Sequence, residues 1–165
     1  ASCFVPKPFT PFQWDAQDTY ETFGEKALIV KNEIKRKQVR FTYHNTMMSS
    51  MEGVLARGDR KLSAMLYRAW ELGCRFDGWT DLFDFNKWKQ AFDDTGLSIA
   101  FYANRERSYD EILPWDHISV GVNKSFLINE REKALRSETT PNCRQKCSGC
   151  GAASFGGGIC HEVQI

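Results

Sequence analysis

Several things this chain lacks narrow what it can be. Apolar residues never run beyond a few positions, so no segment is long enough to cross a bilayer. The 22 Lys and Arg nearly balance the 21 Asp and Glu, and a net charge of +1 gives no global field toward nucleic acid or membrane. There is no glycine-rich phosphate loop, no G-x-S-x-G and no nucleophile–base constellation, so the familiar hydrolase layouts are missing. The opening ASCFVPKPF has no basic stretch followed by an apolar one, so it carries no secretory signal, and we expect a cytoplasmic protein. It also has no initiating Met and starts on an apolar SCFV. We read that as one edge of a longer chain.

What is present is ordinary for a globular protein over most of its length. Of the 165 residues, 42% are apolar and 26% charged, which suits one domain with a small appendage. Residues 1–16 read as extended. Pro6, Pro8 and Pro11 forbid a helix there, and Phe4, Phe9, Phe12 and Trp14 need a surface to pack on.

Residues 17–138 read as helical. Asp18 with Glu21 forms a capping box for a helix to about Gln38, with Phe23, Ala27, Val30 and Ile34 on one face. VRFTYH, Val39 to His44, alternates as a short strand does. Ser49 with Glu52 opens a helical turn or two to Arg57. Gly58 breaks that helix and Asp59 caps the next, which buries Leu62, Met65, Leu66, Ala69 and Leu72 and ends at Gly73. Asp84 or Asn86 caps a helix closed by Gly96. Ser108 with Glu111 opens a short helix stopped by Pro114, and Asn123 starts a last one to about Arg136. The expected fold is therefore mainly α, with one or two short strands and a small irregular Cys-rich module at the C-terminus.

That module, residues 139–165, cannot build an apolar core. TTPNCRQKCSGCGAASFGGGIC carries five glycines and four of the six cysteines. Cys143, Cys147 and Cys150 stand at C-x3-C-x2-C spacing, and Cys160 follows ten positions later. In a reducing compartment such a cluster reads first as metal binding, with metal capture driving the segment to fold. Four thiolates complete a tetrahedral shell for zinc and would equally ligate the four irons of a cubane cluster. Gly149 and Gly151 permit the tight turn of a ligand knuckle. Two disulfides or plain thiols are the bland alternatives. His161 could replace a cysteine, though a histidine directly after a ligand is more often a bystander. Cys3 and Cys74 stand alone among apolar residues and read as core thiols.

SCFVPKPFTPFQW, MEGVLARGDRKL, AWELGCRFDGW, ILPWDHISVGV and TPNCRQKCSGCG together resemble the C-terminal part of a family of radical S-adenosylmethionine proteins. In that family a cobalamin-binding-type domain precedes the radical barrel. The resemblance spans nearly the whole chain. It implies that residues 1–16 are the exit strand of an α/β barrel and that the helices pack against that barrel as their partner. It also implies that S-adenosylmethionine and a catalytic [4Fe-4S] cluster belong to the upstream part. C-x3-C-x2-C is also the radical enzymes' own cluster signature, but that signature follows the first barrel strand. Here only 15 residues follow Cys150, and a fourth cysteine is at hand. We therefore expect an auxiliary site, and no catalysis by this part alone.

Other candidates are weaker. Arg57, Asp59 and Arg60 surround a glycine turn and could face a phosphate, but a helix break with solvated charges explains them better. Asp116 and His117 could do acid–base work, yet adjacent residues rarely face each other. His44 is similarly weak. KNEIKRKQVR is basic enough to touch RNA, but a solvated helix face accounts for it. The reading from a different class is a free-standing zinc-binding interaction module, with RNA as its candidate partner.

Overall fold

A computed structural model describes residues 1–155. Cys160 and His161 lie outside the described residues. The chain divides into two units, one of Ala1–Pro6 and Asp15–Arg107, the other of Lys7–Trp14 and the chain from Ser108 onward. The fold is mainly helical, and no strand forms among the described residues.

In the first unit α1 spans Tyr20–Glu33, α2 Thr46–Arg57, α3 Leu62–Glu71 and α4 Phe85–Thr95. α3 and α4 pack on each other with Met65, Ala69, Phe85, Trp88, Ala91 and Phe92 between them. A π-helical turn, Ala100–Asn104, adds Tyr102 and Ala103 to this core. Nothing in the sequence signals that turn. Leu66, expected inside, is 41% exposed.

The caps mix hits and corrections. Asp84 caps α4 by accepting from the Asn86 N–H, and Gly96 closes it at φ +64°. α1 is capped by Thr19, not Asp18, and stops at Glu33, five residues short of expectation. It buries no residue. α2 is capped by Asn45, whose Oδ1 accepts from both Met47 and Met48 N–H. Ser49 is therefore inside the helix rather than at its cap, and is buried. Asp59 takes the Lys61 N–H at 2.9 Å and opens a turn that leads into α3.

The short strand expected at 39–44 does not form. A strand needs a ladder, and none forms among the described residues: the Val39 N–H turns back to the Arg36 carbonyl at 3.0 Å, the His44 N–H donates to the Ala1 carbonyl at 3.2 Å, and the Ala1 amino group donates to the Thr42 carbonyl. The expected extended run over 1–16 is interrupted too. Residues 8–15 fold as turns, with the Gln13 N–H on the Thr10 carbonyl and the Thr10 hydroxyl on the Lys7 carbonyl.

Arg57 is fully buried, contrary to the expectation of a solvated charge. Its Nη1 donates to the carbonyls of Asp15 and Ala103, and its Nη2 to that of Arg105. Arg107 returns a bond to the Arg57 carbonyl at 2.8 Å. The planar guanidinium fork suits this job because it serves several fixed acceptors at once. Asp59 also accepts the Tyr102 hydroxyl at 3.1 Å. The RGD stretch thus braces the π-helical turn.

The second unit has its own smaller core of Trp14, Leu113, Trp115 and Leu127, with Tyr109 edge-on to Trp14 at 5.0 Å. Gln13 Oε1 accepts from the Trp115 indole at 2.7 Å and from the Phe9 N–H at 3.1 Å. The helix expected after Ser108 is only a turn, in which the Ser108 hydroxyl and carbonyl take the N–H groups of Asp110 and Glu111. Pro114 then prevents any extension. α5, Lys124–Leu135, begins after Asn123 as expected.

Candidate metal centre

The cysteine segment leaves α5 through Ser137, a left-handed residue at φ +59°. Thr140 then ties it back to the helix. The Thr140 hydroxyl donates to Glu130 Oε1 at 2.6 Å and accepts from Lys133 Nζ at 2.9 Å, while Lys133 pairs with Glu130 at 3.0 Å. This hydroxyl first, and the Lys133 charge after it, hold the Glu130 carboxyl below its ordinary range.

Asn142 opens a single turn. Its side chain takes the Arg144 N–H, and its carbonyl takes those of Gln145 and Lys146. The turn carries Cys143, and Cys147 follows in irregular backbone.

The chain next docks on the start of α5. The Asn123 N–H donates to the Cys150 carbonyl at 2.8 Å, and Asn123 Nδ2 reaches the Gly149 carbonyl at 3.5 Å. Asn123 makes no side-chain cap to its own helix. Gly149 and Gly151 flank Cys150 at φ +69° and +96°, a region that side chains rarely tolerate. At Gly151 a Cβ would also lie 2.8 Å from the Gly121 carbonyl and from both polar atoms of the Asn123 side chain. This reversal aims the Ala152 N–H at Cys150 Sγ, 3.5 Å away.

Cys143, Cys147 and Cys150 line one pocket of about 290 Å³, walled otherwise mainly by Val122, Phe126, Thr140 and Pro141. Cys143 and Cys147 are exposed, Cys150 is half-buried, and all three are free thiols. The sulfurs share a wall without meeting at a point: among the described residues no three His, Cys, Asp or Glu stand close enough together to hold a metal ion. The donor chemistry and the backbone around Cys150 therefore fit a soft metal or a cluster, and a closed coordination shell requires further convergence.

The remaining candidates stand apart from this pocket. Asp116 accepts from the Leu113 N–H at 3.0 Å and pairs with Lys124 at 3.4 Å, so its role is to hold a turn. His117 is exposed. Cys74 packs against the first unit's core, and burial pushes its thiol up. Cys3 is half-buried and lines a separate apolar groove with Phe23, Ala27 and Val30. Among the described residues no helix is long and apolar enough to cross a membrane. Comparison with family models, with curated proteins and with solved structures finds no match.

Proposed function

We propose that this chain is the C-terminal region of a radical S-adenosylmethionine enzyme and that its last segment holds an auxiliary metal site. The observation that carries the site is the gathering of Cys143, Cys147 and Cys150 on one pocket wall, with the Ala152 amide on the Cys150 sulfur. Cys160, outside the described residues, is the fourth ligand. Bound zinc would fold the segment. A bound iron–sulfur cluster would also supply a site for electron transfer. The chain's own residues orient and shelter the group: Gly149 and Gly151 shape the knuckle, Asn123 and Thr140 moor it, and Val122, Phe126 and Pro141 keep water from one side. The radical chemistry belongs to an upstream barrel, the partner implied by the motif resemblance.

Metal analysis and a visible absorption spectrum of protein purified without oxygen test the site. A brown protein with about four irons per chain identifies a cluster. A colourless protein with about one zinc identifies a structural knuckle. Neither metal, with all six thiols free on titration of the unfolded protein, overturns the proposal.

A further inference from the structure

The basic run KRKQVRFTYH is not on a helix. α1 ends at Glu33 and α2 begins at Thr46, so Lys35 to His44 form the exposed connection between them. A solvated helix face therefore cannot account for its charge. Lys35, Arg36, Lys37 and Arg40 are all exposed, and the structure gives none of them an acidic partner among the described residues. Four cations within six positions, with no acidic partner among the described residues, make this connection locally positive although the whole chain carries only +1.

Directly beyond the cations stand two rings. Phe41 and Tyr43, two apart on an extended backbone, share one face with centroids 5.8 Å apart and planes at 34°. Tyr43 is 43% exposed. It also belongs to the wall of an open pocket of about 610 Å³, which His44, Met48, Ser49, Glu52 and Thr80 help to line. That volume is ample for a nucleobase with its sugar. The order along the chain is thus cations, then rings, then a polar pocket.

We propose that residues 35–44 are a binding track for single-stranded RNA or DNA, with phosphates on Lys35, Arg36, Lys37 and Arg40, a base on Tyr43, and the next base in the pocket. Single strands fit because stacking needs an unpaired base face, which a duplex hides. The proposal uses no residue of the cysteine site.

The test is fluorescence anisotropy with a labelled oligocytidine about 12 nucleotides long, a length within the reach of small single-strand binders. Four phosphate contacts predict a salt slope near −2.8, so affinity falls about 50-fold between about 50 and 200 mM salt. Changing the four cations to Ala abolishes binding at the higher salt. Tyr43→Ala weakens binding by about fivefold or more with the salt slope unchanged, because it removes stacking and not charge. All five side chains are on exposed segments, so the variants fold, and circular dichroism verifies it. Duplex of the same length binds more weakly. Three outcomes overturn the proposal: no binding at low salt, equal binding of duplex and heparin, or binding indifferent to Tyr43→Ala. The last two mark an unspecific polyanion surface.

Discussion

The core of the first unit and the cysteine segment of the second are held by opposite means. Met65, Ala91 and Ala103 are buried to within the last per cent, and Arg57 beside them satisfies three backbone carbonyls. Between 139 and 155 no residue whose burial is described is fully buried, and mooring is by a few polar contacts and two left-handed glycines. One region is stable because water has been removed from it. The other has little apolar area to remove, so its order depends on a handful of directional bonds and, as proposed, on a metal. The cysteines divide the same way. Cys74 sits against the core with its thiol pushed up by burial, the condition of an inert thiol, whereas Cys143 and Cys147 are exposed.

The largest contrast should come from Arg57→Met. It strips the donors from the carbonyls of Asp15, Ala103 and Arg105, at about 1 kcal/mol or more for each buried acceptor left unmet. We expect the first unit to lose about 3 kcal/mol in urea unfolding while the metal content of the tail is unchanged. Arg57→Lys should not rescue it, since one ammonium cannot span the fork. A loss below about 0.5 kcal/mol, the scale of a surface change, would contradict the bracing role.

Cys150→Ser reverses the pattern. Bound metal should disappear, and cleavage of 139–155 by a dilute protease should quicken tenfold or more, with urea unfolding of the first unit unmoved. Alkylation of the metal-free protein gives a second reading: Cys143 and Cys147 should react well before Cys74. Unchanged metal content in Cys150→Ser would remove this residue from the ligand set.

Where polarity and turn chemistry are local, the sequence declared the structure. Asp84 and Gly96 bracket α4, Asn123 precedes α5, and the glycines around Cys150 are the left-handed ones. Expectation failed where the deciding partner is distant. VRFTYH alternates like a strand, but no second strand comes to it. Three capping-box patterns are present, yet Thr19 and Asn45 cap α1 and α2 in place of Asp18 and Ser49, and at Ser108 Pro114 allows only a turn. Arg57 looked like a solvated charge because its acceptors lie more than 40 positions away along the chain. For the proposed metal site, spacing alone indicated Cys143, Cys147, Cys150 and Cys160, and the described residues place the first three on one pocket. The docking of their loop on Asn123 and the Thr140–Glu130–Lys133 clasp had no sequence signal.

Gly151→Ala tests the docking without touching a ligand. The new Cβ would strain a backbone at φ +96° and crowd the Gly121 carbonyl at 2.8 Å, a cost of about 1–3 kcal/mol borne wholly by the loop. Hydrogen exchange at Cys150 and Ala152 should accelerate while α3 and α4 keep their protection. Equal protection in variant and parent would mean that the loop is not seated on Asn123.

The smallest effect is acidic. Glu130 is held below its ordinary value near 4.5, first by the Thr140 hydroxyl and then by Lys133. A depressed carboxyl contributes stability that is fully present above its unfolded value and is lost as pH falls through the folded one. The clasp should therefore hold at neutral pH and at pH 5, then release progressively below about 4.5, while the first unit's core, which does not depend on this carboxylate, keeps its packing there. The Thr140 methyl signal in NMR would follow the release directly. In Glu130→Gln that pH-dependent step should vanish, because the amide still accepts from Thr140 but no longer titrates. If the same step persists in Glu130→Gln, another carboxylate governs the clasp, and the mooring of the cysteine loop must be sought elsewhere on α5.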